Sequence, residues 1–500
     1  MGSPMPEIWM LPPHPPPLSR GADTTLTEQL AERFKERIRQ RLLAPGARLP
    51  SVRECAQRHR VSPHTVVAAY DHLLALGLIE ARKQRGFFVR ESTQRAAPGH
   101  ATVADRVPAH PLPVSATSLI RGMFQPPGAR PMPGLGTLPA DWLDLPLLAG
   151  ALRKVTIGAQ LGAVSLQYGD PAGEARLREA LAIKLADFGI SASPQQIVTT
   201  IGAIHALDVV TRTLLRAGDS VLVDEPGWSV EYARLAALGM RVLPVPRAED
   251  GPDLAAMQRL IDAQKPGQRP RLYVTVSVLN NPTGASLSLQ AAHRVLQLAQ
   301  ANDLQIVEDD TYAHLAPAHL PRIAALDALD ALERTIYISG FSKILVPAWR
   351  VGFIAAPRAL VDRLVDTKLL TTLTTPGLTE QALAHCLEQG LLRRHTERVM
   401  TRLAAARERT VRLAEAHGCR FASPPRGLFG WVDVGIDTER LAQVMLDDWL
   451  LAPGALFHAT HRPTSLMRIN FATSQDLRFW RALDRARTEL RCLRPTIHQG

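Results

Sequence analysis

A lysine and an arginine seven residues apart are the side chains of this sequence best suited to covalent chemistry. Lys343 is one of only 7 lysines; it follows a β-rich run and the turn around Gly340, and Arg350 ends the next stretch. A lysine amine forms a Schiff base with a cofactor aldehyde, while a guanidinium clamps a phosphate. The spacing indicates a lysine-bound phosphorylated cofactor, although a lysine after a strand is on its own more often a solvated surface residue.

Three side chains upstream suit the ring of such a cofactor. Asp309 follows a predicted strand over 304–308, at the strand end where α/β sheets bind ligands. Its carboxylate could pair with a protonated pyridine nitrogen and make the ring an electron sink. Tyr312 and Asn281, the latter in Asn-Pro-Thr-Gly after another predicted strand, could donate to the ring oxygen. Taken singly, such an aspartate is more often a helix cap and Asn-Pro-Thr-Gly a plain turn.

Other residues suit the face and the phosphate of the cofactor. Trp228 offers a flat surface for stacking, and Gly202 with Ala203 and Ile204 opens a predicted helix whose amides can hold a phosphate. Tyr168 could add a hydroxyl to the same phosphate. Arg468 has a guanidinium group that could bind a carboxylate through two parallel hydrogen bonds. Each signal is weak alone, and together, in this order along the chain, they predict one site.

The elements that must position these residues alternate between strands and helices from about residue 130 onward. This alternation predicts a doubly wound, mainly parallel α/β sheet. The predicted strands cover 196–200, 220–223, 241–245, 271–278, 304–308, 335–338 and 351–355.

Residues 24–92 show a different pattern, of three short helices and a hairpin. Thr25 with Glu28 and Ser51 with Glu54 have the spacing of capping boxes, and Ser62 precedes a proline suited to the first helical position. A hairpin with a basic tip follows. This arrangement predicts a winged helix-turn-helix that binds DNA, with a small helical bundle as the alternative.

Composition and charge limit the class of protein. The chain has 46% hydrophobic and 21% charged residues and a net charge of +11, with 13 Lys and Arg against 7 Asp and Glu in 24–92. No export signal, membrane span or metal-ligand spacing is apparent, and the scattered cysteines suggest reduced thiols, so we expect a cytoplasmic protein without a metal. The predicted order is a disordered tail (1–23), a DNA-binding domain (24–92), a linker (93–125) and a large domain (126–500).

The first domain resembles the GntR-type DNA-binding domain. The resemblance rests on Leu-Pro-Ser-x-Arg at 49–53, Val-Ser-x-x-Thr-Val at 61–66, Tyr-x-x-Leu at 70–73 and Gly-Leu-Ile at 77–79. One departure is Pro63, where that family often has an arginine. The contacts to DNA that the resemblance implies come from Arg53, Ser62, His64, Thr65, Arg85 and Gly86.

The large domain resembles the fold-type I, class I/II aminotransferases over roughly 130–490. The resemblance implies pyridoxal phosphate on Lys343 and an effector or substrate carboxylate on Arg468. It also implies a homodimer in which Tyr168 reaches the neighbouring subunit's phosphate. The implied contacts to the cofactor are Asp309 at the ring nitrogen, Asn281 and Tyr312 at the ring oxygen, Trp228 on the ring face, and Ala203, Ile204, Ser342 and Arg350 at the phosphate.

Together the two halves resemble the MocR family of bacterial transcription regulators. The resemblance implies a regulator that senses an amine, an amino acid or a B6 vitamer. Two alternatives stay open: a genuine aminotransferase with a DNA-binding appendage, and a DNA-binding dimer whose large domain is a degenerate scaffold. Ala203, Ile204 and Gly340 stand where relatives commonly have hydroxyl or amide side chains, so we expect a weakened phosphate cup.

Overall fold

The computed structural model divides into two compact units, residues 1–131 and 132–500. The described residues are 18, 24–39, 43, 48–82, 86–90, 132–157, 161–162, 166–327, 332–446, 448–460 and 462–492. The predicted linker, the wing tip at 83–85 and, apart from residue 18, the predicted tail (1–23) lie outside them.

The first unit contains the three helices and the hairpin that the sequence predicts. They are α1 (Leu26–Arg39), α2 (Val52–His59), α3 (Pro63–Ala75), β1 (Ile79–Arg82) and β2 (Gly86–Val89). Ser51 and Glu54 form the predicted capping box, and the Ser62 side chain accepts from the Thr65 amide at the start of α3. Phe34 and Tyr70 meet edge to face in the core, and the Tyr70 hydroxyl donates to the Pro50 carbonyl at 2.9 Å.

A seven-stranded sheet forms the centre of the second unit. Its order is β3-β9-β8-β7-β6-β4-β5; β9 runs antiparallel to both neighbours, and the other pairs are parallel. This confirms the predicted mainly parallel sheet. The strands are β3 (Ile197–Thr200), β4 (Ser220–Glu225), β5 (Arg241–Pro246), β6 (Leu272–Thr275), β7 (Gln305–Asp309), β8 (Thr335–Gly340) and β9 (Gly352–Ala355).

Helices cover both faces of this sheet, which is why β3, β6, β8 and β9 are buried along their whole length. None of the described helices is long and apolar enough to cross a membrane. The helices of this unit are α4 (Leu145–Thr156), α5 (Ala175–Ala186), α6 (Gly202–Leu214), α7 (Ser229–Ala237), α8 (Leu254–Asp262), α9 (Leu289–Ala301), α10 (Ile323–Asp327), α11 (Arg358–Thr372), α12 (Gly377–Glu388), α13 (Leu391–Ala416), α14 (Thr438–Met445) and α15 (Leu477–Cys492).

A second, antiparallel sheet that the sequence did not predict follows in the chain. It consists of β10 (Arg420–Phe421), β11 (Phe429–Asp433), β12 (Ala452–Pro453) and β13 (Leu466–Asn470), in the order β10-β11-β13-β12. Two of its strands have only two residues, too few for a periodic pattern to show in the sequence. This sheet positions Arg468 through β13.

Candidate cofactor site and DNA-binding surface

Lys343 lies in the turn after β8, at the carboxyl end of a central strand. Its Nζ donates to the carbonyl of Gly136 at 2.9 Å. Burial and the charges of Arg468 and Arg350 lower the pKa of Lys343 to about 8. Roughly a tenth of the amine is therefore neutral near pH 7, far more than for a free lysine, so this side chain is suited to attack an aldehyde.

Asp309 is the last residue of β7, and its carboxylate is the middle one of three consecutive acids. Glu308 accepts hydrogen bonds from two amides at the start of α10, and Asp310 pairs with Arg322. Asp309 accepts hydrogen bonds from the amide and hydroxyl of Thr311, and no cation of the described residues donates a hydrogen bond to it. Burial raises the pKa of Asp309 to about 6. A protonated ring nitrogen would supply the charge that this buried carboxylate lacks.

A chain of hydrogen bonds links the predicted ring and carboxylate residues. The Asn281 amide donates to the Tyr312 hydroxyl at 3.3 Å, and Arg468 donates to Asn281 Oδ1 at 2.9 Å. A second Arg468 nitrogen donates to the Gly134 carbonyl at 2.7 Å, while its Nε is buried without a partner among the described residues. Burial lowers the pKa of Arg468 to about 10, so the guanidinium stays charged at neutral pH.

The predicted phosphate residues converge where α6 begins. Arg350 donates to the Ser342 hydroxyl and to the Ile201 carbonyl, both at 3.2 Å. Gly202 has φ +76°, and a Cβ there would lie 2.7 Å from Arg350 Nη2, so glycine is required. The next residue is Ala203, whose amide is among the first of α6 and has no partner within the helix.

Three other predicted residues differ in placement. Trp228 and Asp309 line one cavity. Tyr168 stands apart, because its side chain is 82% exposed and no hydrogen bond joins it to the site within the described residues. The side chain of Ile204 is also exposed. Its backbone amide, however, is among the first of α6 and is therefore available to a phosphate.

Sequence analysis did not identify the backbone segment around Gly134 and Gly136 that crosses the site. The carbonyls of Gly134 and Gly136 accept the hydrogen bonds from Arg468 and Lys343. A Cβ on Gly136 would lie 3.7 Å from Lys343 Nζ and 3.8 Å from Arg468 Nη2. Carbonyl groups have no side-chain signature, so only the two closely spaced glycines could have pointed to this segment.

Pyridoxal phosphate fits this set of groups. A buried carboxylate that accepts no hydrogen bond from a cation among the described residues suits the ring nitrogen, and an arginine, a serine and helix amides suit the phosphate. A lysine of lowered pKa lies in the same site, as the aldehyde requires.

The predicted DNA-binding residues of the first unit lie mainly on its surface. Arg53, Ser62 and His64 are exposed, and Gly86 has φ +96° at the start of β2. Arg85 lies outside the described residues. The Thr65 amide donates to Ser62 Oγ at 3.1 Å, so this serine caps α3.

Two surface residues of this unit were missed by the sequence. Val67 on α3 is 42% exposed, three residues after His64 and therefore on the same side of the helix. Arg48 forms a bridge with Phe88, and its guanidinium lies beside Gly86 of the hairpin. Sequence analysis assigned no role to this valine, and the arginine precedes the Leu-Pro-Ser-x-Arg motif at 49–53.

Comparisons with known proteins assign both units. The family of aminotransferases of class I and II matches residues 144–485, and the family of bacterial regulatory proteins, gntR family, matches 26–89. The probable rhizopine catabolism regulatory protein MocR of Rhizobium meliloti is 31% identical over 80% of this chain and 79% of its own. The chain belongs to the MocR family.

Other relatives of this MocR-family chain agree. The HTH-type transcriptional regulator YisV of Bacillus subtilis is 28% identical over 92% of this chain and 95% of its own. The structure of LysN, an α-aminoadipate aminotransferase from Thermus thermophilus complexed with N-(5′-phosphopyridoxyl)-L-leucine, covers 75% of this chain and 95% of its own at 27% identity and a TM-score of 0.68. The predicted family, fold class and pyridoxal phosphate cofactor are confirmed.

Proposed function

We propose that this MocR-family regulator senses a primary amine that carries a carboxylate, and that its second unit binds this effector between Lys343 and Arg468. The observation that supports this is the position of Gly136 between the two side chains. A Cβ added to this glycine would lie 3.7 Å from Lys343 Nζ and 3.8 Å from Arg468 Nη2. An α-amino acid has its amine and carboxylate on one carbon and spans such a gap. The Nε of Arg468, which is buried without a partner among the described residues, is a further donor for the carboxylate.

The cofactor supplies an aldehyde carbon that amines attack and a ring that withdraws electrons. Lys343 would supply the nitrogen that holds it and a base or acid near the effector. Asp309 would stabilise positive charge at the ring nitrogen, and Asn281 and Tyr312 would donate toward the ring oxygen. Ser342, Arg350 and the amides of Ala203 and Ile204 would hold the phosphate. Trp228 would cover one face of the ring.

The charges around Lys343 favour an anion. The positive charges of Arg468 and Arg350 act on Lys343 more strongly than the negative charge of Asp309, an arrangement that suits a phosphate together with an effector carboxylate. Because Ala203 and Gly340 add no hydroxyl groups to the cup, we expect weaker cofactor binding than in a cup with such groups, by about tenfold per missing hydrogen bond to the phosphate.

The active unit that we propose is a homodimer. Ile157, Leu166 and Leu370 are exposed apolar side chains of the second unit, as is Tyr168. Such exposure is costly in a monomer and suits a surface that a second copy covers. In this dimer Tyr168 would donate to the phosphate bound by the partner.

The first unit would read DNA through α3 and the hairpin. His64 and Val67 on α3 would face base edges, where valine suits the methyl group of thymine, and Arg53 and Arg48 would contact phosphates. Arg53→Ala should weaken operator binding. It should also reduce the slope of the logarithm of the binding constant against the logarithm of the salt concentration by about 1. An unchanged slope in binding assays across salt concentrations would remove Arg53 from the phosphate contacts.

An absorbance titration of purified protein with candidate amino acids and amines tests the sensing function. Amino acids should shift the cofactor band without accumulating keto acid, whereas matched amines without a carboxylate should require much higher concentrations. Equal responses to both would contradict the role of Arg468.

The second candidate is a genuine aminotransferase. The lowered pKa of Lys343 favours it, because proton transfer near neutral pH needs such a base. Sustained production of keto acid from an amino acid, with a second keto acid as acceptor, would establish it.

A further inference from the structure

Six residues at the start of the second unit, 132–137, cross the candidate site; we call them the strap. Most of their hydrogen bonds anchor the strap to β13 and the segments beside it. The carbonyl of Met132 accepts from the Thr473 hydroxyl at 3.0 Å, and the Asn470 side chain donates to the carbonyls of Leu135 and Thr137. The Gly134 amide donates to Leu450 at 2.8 Å.

Backbone packing fixes the strap on the same side. A Cβ on Gly134 would lie 2.5 Å from the carbonyl carbon of Leu451, which leaves room only for glycine. The strap therefore lies directly on the chain that enters β12. Its position follows that of the four-stranded sheet.

One hydrogen bond of the strap reaches the other sheet within the described residues. It is the bond from Lys343, at the end of β8, to the carbonyl of Gly136. The strap thus links the amine on one sheet with the guanidinium of Arg468 on the other, which donates to Gly134. Among the described residues, the hydrogen bond from Lys343 is the only one that joins the strap to the seven-stranded sheet or the turns that follow its strands. A change at Lys343 therefore alters this link.

The number of hydrogens on Lys343 changes with its chemistry. A free ammonium group has three, whereas a nitrogen condensed with an aldehyde has lost two hydrogens as water and keeps at most one besides its bond to carbon. When an effector amine takes its place at the aldehyde carbon, Lys343 leaves as a free amine. The exchange makes one carbon–nitrogen bond, breaks another and moves protons, without oxidation or reduction.

We propose that the strap reports the bonding state of Lys343: it is bonded to Lys343 while the amine is free and released when that nitrogen is bonded to the cofactor. Effector binding, which frees Lys343, would then fasten the strap. The chain that precedes residue 132 leads to the DNA-binding unit, so the strap is the first part of the second unit able to pass the change on. This inference rests on the proposed function.

Hydrogen exchange of a peptide covering 132–138, measured by mass spectrometry on the full chain, tests the inference. The starting state is protein saturated with pyridoxal phosphate. The probe is methoxyamine, which displaces Lys343 but has no carboxylate, and aminooxyacetate is a second probe that has one. Both should slow exchange in the strap by about fivefold, the effect expected of one added hydrogen bond.

Protein reduced with borohydride after loading is the internal control. Its Lys343 nitrogen stays attached to the cofactor, so neither probe should slow exchange in the strap. An absorbance response to methoxyamine with no change in the strap would overturn this inference and leave the proposed function intact. No absorbance response to pyridoxal phosphate or either probe would overturn both.

Two threonine variants test whether the strap passes the signal on. Thr473→Val removes the hydroxyl that donates to Met132 of the strap, and Thr410→Val removes a buried hydroxyl that donates to the carbonyl of Phe471, which is not part of the strap. Both should keep the absorbance response to methoxyamine. Thr473→Val should lose the effect of methoxyamine on affinity for a duplex selected by the protein from random sequence, and Thr410→Val should retain it. Retention of the effect in both variants would contradict the role of the strap.

Discussion

Lys343 and Lys368 lie in the same unit, and burial lowers the pKa of each to about 8. Their surroundings differ. Lys368 on α11 is fully buried and donates to the hydroxyls of Thr199 and Thr375, near the buried carboxylate of Glu380. Lys343 is partly exposed in the candidate cofactor site and donates to the backbone carbonyl of Gly136.

The difference shows that a lowered pKa alone does not make a reactive amine. Lys368 is enclosed by groups that satisfy it, so no aldehyde can reach it without opening the helix packing. Lys343 faces Asp309 and Arg350, which suit the two ends of the cofactor. Access and neighbouring groups separate a structural lysine from the proposed cofactor lysine.

The largest expected effect is that of Lys343→Ala. The variant should lose covalent attachment of pyridoxal phosphate completely, because Lys368, the other lysine of lowered pKa among the described residues, is fully buried. Basal DNA binding should be unchanged, since the first unit has its own core. Absorbance and DNA-binding assays measure the two properties, and equal loss of both would contradict the separation into two units.

Arg468→Gln should have the next largest effect. It removes the charged donors for a carboxylate, so the preference for aminooxyacetate over methoxyamine should fall by about 100-fold. The measurement is the ratio of the two reaction rates at the cofactor. Arg402→Gln, which changes an exposed arginine paired with Asp141, is the control and should keep the ratio.

The pH dependence follows from the pKa of Lys343. Because only the neutral amine attacks an aldehyde, the rate of cofactor attachment should rise about tenfold per pH unit below 8 and level off above it. A rate that still rises steeply near about pH 10 would show an ordinary lysine. In the unfolded chain Lys343 keeps its proton up to about pH 10.4, whereas in the folded chain it loses the proton at about pH 8. Because the unfolded state then binds more protons, stability increases as pH rises from about 8 to about 10.4.

Lys368→Met should change the site least. Cofactor attachment should persist, whereas the free energy of unfolding should fall by about 2 kcal/mol, because two hydroxyls lose a hydrogen-bond donor and the buried Glu380 loses a nearby positive charge. Denaturant unfolding measures this loss. Loss of cofactor binding in a variant that remains folded would mean that Lys368 has a direct role in the site.

The sequence predicted those parts of the molecule that depend on local signals. Ser51 and Ser62 were recognised as caps because a cap needs only neighbouring residues, and Asp309 because it lies at the carboxyl end of a strand that the sequence predicted. The strand predicted over 271–278 was too long, since the amide of Val276 donates to the buried Asp224 carboxylate and not to the sheet ladder.

Features that depend on distant contacts were not predicted. The four-stranded sheet includes two strands of only two residues, which are recognisable only by their pairing, and the strap contributes carbonyls, which any residue has. Val67 is apolar yet exposed, so the amphipathic pattern alone could not place it on the surface. The role of Tyr168 depends on a second copy of the chain and stays a prediction.

Borohydride reduction followed by peptide mapping tests the central claim most directly. Protein saturated with pyridoxal phosphate, reduced and digested should carry the label on the peptide that contains Lys343, with the Lys368 peptide unlabelled as a control within the same digest. An unlabelled Lys343 peptide, or equal labelling of both lysines, would contradict the account.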